Sequence, residues 1–375
     1  MNHTLLHTSS ALADALRSLQ GPVALDTEFH AERRYRPSLM LVQFCDSKGP
    51  VFVVDAKEVR NLTPIADTLQ AHPLIAHSLH QDLAALDTRT QVHPLVSCDP
   101  QILAGLLGYG YPRRLEELLE EVLQVVSPPS NTMSDWSARP LNQAQLEYAS
   151  ADAAHLHDLW NTLAEKAGPE KVGWAQELSK EASLELRTGT PDDDSWKTLP
   201  GAKALTHARS REALRQLLAW RESEARKSNQ APRQLFSDHI AIDLARRRPT
   251  TAADIAIHRL MPKRVVRDLA PPLLACIARA ESTPVADLPA PARLNIAQQS
   301  VAASLESWAL KIEATQGIAA RLLLPRTVIE PLVRAWSRGE CPELPGDWRE
   351  SQFGEPVRAV LETCEPLREA CAGPH

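Results

Sequence analysis

The sequence predicts a mixed α/β sheet domain followed by all-helical bundles. Three observations carry the prediction: short β-rich runs crowded between residues 22 and 56, alternating strand-like and helical stretches up to about residue 165, and proline-punctuated helical patterning beyond residue 202. The runs "PVALDTEF", "SLMLVQFCD" and "VFVVDA" are too close together for crossover helices, so they are expected to form an antiparallel meander. A helical pattern near 62 to 70, the strand-like "PLIAHS", a helix over "QDLAALDTR", the short "PLVSCD" and a helix over "PQILAGLL" follow. Such alternation adds parallel strands to the meander, with helices packed on the sheet.

"LNQAQLEYASADAAHLHDLWNTLAEKA" reads as one long amphipathic helix, with Leu146, Ala149, Ala153, Leu156 and Leu159/Trp160 on a three- and four-residue rhythm. It is expected to close a first domain over residues 1 to 168. Residues 169 to 201 are a helical and linker connector ending in "RTGTPDDDSWKTLPG", whose Asp192 to Asp194 run reads as a solvated turn. Two helical bundles, 202 to 285 and 293 to 372, share a weak rhythm of an aliphatic run before Trp, in "ALRQLLAWRESEARK" and "VIEPLVRAWSRGE". Trp220 and Trp308 fall within that rhythm and are expected in the cores.

Composition bounds the class. A chain of 375 residues exceeds one ordinary core, and 43% hydrophobic and 23% charged residues are ordinary for globular protein. No apolar run approaches the roughly 18 residues of a membrane span, and the start carries no basic then apolar leader pattern, so a cytoplasmic location is expected. The six cysteines show no CxxC pair, which argues against zinc and a disulfide framework. The net charge of -6 excludes a chain that coats nucleic acid indiscriminately, yet residues 201 to 285 hold 16 Lys and Arg against 8 Asp and Glu. That segment is able to meet phosphates.

Asp26 and Glu28 lie two apart on a predicted strand, hence on one face, where like charges repel unless a cation joins them. Asp82 starts a predicted helix, and Tyr148 and Asp152 lie four apart on one helical face. Each piece alone has a bland reading as a turn, a cap or a surface pair. Together, four carboxylates and a phenol are a hard oxygen set that suits Mg²⁺ or Mn²⁺.

"DTEF", His77 to Asp82 and Tyr148 to Asp152 resemble the three exonuclease motifs of the tyrosine branch of the DEDD superfamily. Position 147 is Glu, where the histidine branch would have His. "RYRPSLMLVQF", "CDPQILAGLLG" and "SDWSARPLNQAQLEYASAD" resemble the ribonuclease D family, residues 202 to 285 resemble its HRDC domain, and "WSRGECPELPGDWRE" resembles a second, divergent HRDC copy. One departure is Pro129, which stands where family members commonly carry Lys.

The resemblance implies a ribonuclease H-like exonuclease domain and a metal-dependent 3′ to 5′ exoribonuclease that trims tRNA precursors and other small structured RNAs. It implies two divalent cations held by Asp26, Glu28, Asp82 and Asp152, with Tyr148 orienting the nucleophile. Thr27, Gln43 and His77 are expected to meet substrate. Arg246, Arg247, Arg248, Lys263, Arg264 and Arg267 are candidates for a phosphate track in the basic segment, and a monomer is expected. A related enzyme acting on DNA ends and a non-catalytic RNA-binding scaffold are the competing readings. No GxxxxGK[ST] loop is present, so a fused helicase is excluded.

Overall fold

The computed structural model describes residues 3 to 128, 134 to 185, 195 to 257, 261 to 284 and 294 to 371. The chain forms two compact units: one of Met1–His30, Ser38–Arg187 and Leu294–Pro374, the other of Ala31–Pro37 and Thr188–Arg293. Pro129, the Asp192 to Asp194 run and all but the first two residues of the expected break between the bundles, near 283 to 292, lie outside the described residues.

The first unit is built on a six-stranded sheet in the order β1-β4-β3-β2-β5-β6. Its strands are β1 (His3–Leu6), β2 (Val23–His30), β3 (Ser38–Cys45), β4 (Val51–Asp55), β5 (Leu74–Ile75) and β6 (Ser97–Cys98). β2, β3 and β4 form the expected antiparallel meander, while β5 and β6 extend it in parallel beside β2. β1 was not legible in the sequence: four residues at the sheet edge become a strand by pairing in parallel with β4.

Strand alternation sends side chains to two cores. Val51 and Val53 face one, Phe52 and Val54 the other. The second of these cores is covered by α1 (Ser9–Ser18), α2 (Thr63–Ala71) and α3 (His80–Leu86), which bury Leu12, Ile65 and Leu83. The first is covered by α4 (Pro100–Gly105), α5 (Leu115–Leu118, continued by a π turn to Leu123), α6 (Gln143–Ala154) and α7 (Leu156–Glu185).

The single long helix expected over 141 to 167 is two helices. Asn142 caps α6 in a reciprocal box with Gln145, α6 ends at Ala154, and α7 starts at Leu156. No Pro or Gly marks that break; Tyr148 and Asp152 of α6 line the cavity, and Tyr148 also shares the core of Leu156, Leu159 and Leu163. Within α7, Gly168 at φ +71 makes a second break ahead of Pro169.

The second unit contains α8 (Ala208–Ser228), α9 (Pro232–Leu235), α10 (Asp238–Arg247), α11 (Ala252–Ala256) and α12 (Ala270–Ser282) around their own core of Leu214, Leu217, Phe236, Leu244 and Leu273. Tyr35, from the loop between β2 and β3, joins that core and donates its hydroxyl to Glu222. Trp220 stacks on Phe236, their ring centres 6.3 Å apart.

The C-terminal helices α13 (Ile296–Gln316), α14 (Ala320–Leu323), α15 (Arg326–Ser337), α16 (Asp347–Thr363) and α17 (Arg368–Cys371) belong to the first unit and share one core with the sheet and α7. Trp174 of α7 stacks on Trp348 at 5.0 Å, Arg349 pairs with Glu181 at 3.5 Å, and the Ala319 amide donates to the Gly105 carbonyl at 2.8 Å. Trp308 packs edge-on against Phe353 in the same cluster. Among the described residues no helix is long and apolar enough to cross a membrane.

Candidate active site

The residues singled out on β2, α3 and α6 converge on one cavity of about 550 Å³, lined by Asp26, Glu28, His77, Asp82, Tyr148 and Asp152 among others. The β2 register shifts between Glu28 and Phe29, an irregularity that ends regular pairing just past the two carboxylates. Ligand oxygens of Asp26, Glu28 and Asp152 lie within 4.8 Å of one another. Asp82 stands outside that triplet, and its carboxylate accepts a 2.6 Å hydrogen bond from the Thr27 hydroxyl.

Each side chain is held from behind. α6 carries Tyr148 and Asp152 one turn apart, and the Tyr148 hydroxyl donates to the Asp152 carboxylate. Trp136, almost wholly buried, packs against Tyr148 with ring centres 6.2 Å apart. Its segment is pinned to the end of β4 because Arg139 grips Asp55 and the Trp136 carbonyl together. α3 is aimed by Asp99, a buried carboxylate that accepts from the amides of Ser78, Leu79 and Gln101 at 3.1, 3.2 and 2.8 Å. Ser78 there takes the left-handed conformation, φ +58, which turns the chain from β5 into α3.

Burial is the largest cause of raised carboxyl pKa values throughout the cluster, and mutual repulsion adds to it. Asp26 is pushed well up by burial and by Asp82, Asp152 and Glu28. Glu28 is pushed up to about 9 by burial, Asp152 and Asp82. Burial lifts Asp82 to about 8 against the Thr27 hydrogen bond, and Asp152 to about 7 against the Tyr148 hydrogen bond. Burial and the Asp152 charge also raise Tyr148 well above a phenol's ordinary range, so it stays a neutral donor. Carboxylates that repel in this way gain most from a divalent cation between them.

Several residues expected to meet substrate have other tasks. Thr27 spends its hydroxyl on Asp82, and Gln43, paired across the sheet with Asp26, is fully buried with both amide atoms unpartnered. Gln43 therefore has no surface to offer a substrate, a correction that follows from β3 being covered on both faces. His77 lines the cavity but points its Nε2 at the Arg113 carbonyl, 3.0 Å away, and burial keeps it below its ordinary pKa.

The cations of the basic segment belong to the second unit, where Arg247 pairs with Asp243, Arg248 with Glu281 and Arg267 with Asp268. Arg264 donates to the Gln234 carbonyl, whereas Arg246 and Lys263 are exposed. Sequence reasoning missed Asp99, Gln101, Arg113, Arg114 and Glu116 around the cavity. Asp99 had a readable signal, since Asp-Pro opens a helix; Gln101 within α4, Arg113 and Arg114 ahead of α5 and Glu116 in its first turn carry no spacing that marks them.

Comparison with known proteins agrees with this geometry. Residues 4 to 167 match the family model of a 3′-5′ exonuclease, and residues 210 to 277 match that of the HRDC domain. Ribonuclease D of Zymomonas mobilis is 30% identical over 96% of this chain and 94% of its own length. Ribonuclease D of Xanthomonas oryzae pv. oryzae is also 30% identical, covering 97% of this chain and 100% of its own. The crystal structure of Escherichia coli RNase D, described as an exoribonuclease involved in structured RNA processing, superposes with a TM-score of 0.85 at 25% identity, covering 97% and 99% of the two chains. Fold and site together define a 3′ to 5′ exonuclease joined to an HRDC domain. The chain belongs to the ribonuclease D family.

Proposed function

We propose that the protein is a metal-dependent 3′ to 5′ exoribonuclease acting on tRNA precursors and other small structured RNAs, with Asp26, Glu28, Asp82, Asp152 and Tyr148 as its catalytic residues. The observation that carries the reading is the triplet of Asp26, Glu28 and Asp152, whose ligand oxygens lie within 4.8 Å in a chain of this family. Three hard oxygen donors that repel when ionised fit divalent cations, and Mg²⁺ or Mn²⁺, two in number, suit such a set. When bound, such ions supply charge neutralisation at the phosphodiester and acidify water.

The chain's own residues do the positioning. Asp26, Glu28 and Asp152 would hold the cations, and Asp82, steadied by Thr27, would complete the set. Tyr148, held neutral and bonded to Asp152, would orient the attacking water from one helical turn away. Trp136 beneath it fixes the ring. The HRDC domain would carry substrate-binding surface through Arg246 and Lys263, both exposed. We take the enzyme to act as a monomer, and to act in the cytoplasm, the latter reading supported by six free cysteines, five of them buried.

The test is a gel time course with 5′-labelled RNA and matched DNA carrying single-stranded 3′ tails, in Mg²⁺, in Mn²⁺ and in chelator. Metal-dependent shortening of RNA from its 3′ end is expected, with DNA shortened far more slowly. RNA left intact in every metal by folded protein would overturn the proposal.

A further inference from the structure

We propose that Arg114 grips an RNA phosphate beside the carboxylate cluster, and that Glu116 holds its guanidinium until RNA arrives. The inference rests on the exoribonuclease reading and names a residue that seats the substrate of that site.

RNA brings phosphates to a cavity walled by Asp26, Glu28, Asp82, Asp152 and a fifth carboxylate, Glu116. Among the described residues only two lining side chains are permanent cations, Arg113 and Arg114. Arg113 is fully engaged: it donates to Glu117 at 2.6 Å and to the Tyr109 carbonyl at 2.7 Å, and it pairs with Glu121 at 2.9 Å. Arg114 differs. Its side chain is 68% exposed, and its Nη2 stands 3.8 Å from Glu116, beyond hydrogen-bond distance. A loose, solvated pair of this kind is readily exchanged for a phosphate, which an arginine fork can grip with two hydrogen bonds.

The position is built. The half-buried His77 and the buried Gln101 hold the Arg113 carbonyl at 3.0 and 2.9 Å, so the chain enters Arg114 from a fixed point. Arg114 and Glu116 also line an adjoining cavity of about 270 Å³, beside the exposed Val126 and the half-buried Pro128. A strand leaving the carboxylates through that cavity passes Arg114 and can lay ribose or base on Val126. Glu116 is close enough for its charge to raise Asp152 and Tyr148, so it belongs electrostatically to the cluster.

Steady-state kinetics of the full chain on a single-stranded oligoribonucleotide, across a salt series with saturating Mn²⁺, test the proposal. Arg114→Ala should raise KM about tenfold at low salt, with kcat changed less than threefold, and should flatten the plot of log KM against log salt by about 0.7, the loss of one single-strand phosphate contact. Arg114→Lys should restore the slope and most of KM, because it keeps the charge and loses only the fork. Glu116→Gln should lower KM, about threefold. An Arg114→Ala enzyme with wild-type KM and slope would overturn the proposal, and so would a Lys variant no better than Ala. If wild-type enzyme shortens no RNA, the exoribonuclease reading fails first; if it does and Arg114→Ala matches it, only the role of Arg114 fails.

Discussion

Asp26 shows how one carboxylate ties stability to chemistry. It lies half-buried in the cavity wall with Asp82, Asp152 and Glu28 near it, so its ionised form is opposed by desolvation and by three like charges. Asp26→Asn keeps the shape and removes the charge. Activity should fall at least about a hundredfold, while the metal-free variant should melt about 2–4 °C above wild type. The same repulsion sets a pH dependence. Each carboxyl titrates higher in the folded protein than in the unfolded chain, so the folded state holds more protons between about pH 4 and about pH 9. The associated stability is fully present below about pH 4 and is lost as pH rises toward about 9. Melts in chelator should therefore show a falling Tm from pH 6 to pH 9, and Mn²⁺ should restore more at pH 8.5 than at pH 6; a flat chelator profile would remove the clustered charges from the account. At this scale the motif residues were legible because spacing of two on a strand and four on a helix puts side chains on one face whatever surrounds them. Gln43 was misplaced as a substrate contact because burial is a property of neighbours far away in sequence, whereas Thr27 lines the cavity with its hydroxyl given to Asp82.

Elements that looked alike in sequence separated once packed. The meander was readable from period-two runs, but β5 and β6 are two residues each and exist as strands only through pairing with β2 and each other. The helix over residues 141 to 167 had an unbroken amphipathic rhythm, yet it divides at His155 into α6, which carries Tyr148 and Asp152 to the cavity wall, and α7. α4 shows what close packing demands. A Cβ on Gly105 would stand 2.7 Å from Leu322 Cδ1 and 2.9 Å from Tyr111 Cβ. Leu322 can give way by rotating, but the Tyr111 Cβ cannot move without its backbone. Gly105→Ala should therefore destabilise the first unit by about 1–3 kcal/mol, the range of core overpacking, in a denaturant titration with unchanged slope. Wild-type stability would mean that α4 and α14 are not in the contact described.

For the molecule as a whole, the C-terminal helices are structural partners of the exonuclease fold. Trp348, Phe353, Leu322 and Leu323 lie in the core that contains Leu103, Leu159 and Leu163. Burying even five such side chains, at about 1.5–3 kcal/mol each, matches the net stability of about 5–15 kcal/mol of a typical domain. A chain ending at residue 293 should lose its cooperative melt in calorimetry and its near-ultraviolet dichroism; a truncated chain that melts like wild type would make those helices an independent appendage. The sequence alone determined the class of fold, the tyrosine-bearing set of carboxylates and the basic helical segment, because periodicity, motif spacing and charge are local properties that survive without neighbours. Only the tertiary structure decided that residues 294 to 371 share the core of the sheet, that Asp99 aims α3, and that Arg114 is the loosely paired cation at the cavity. Those facts depend on which distant surfaces meet, and burial and ion pairing across hundreds of residues leave no periodic trace along the chain.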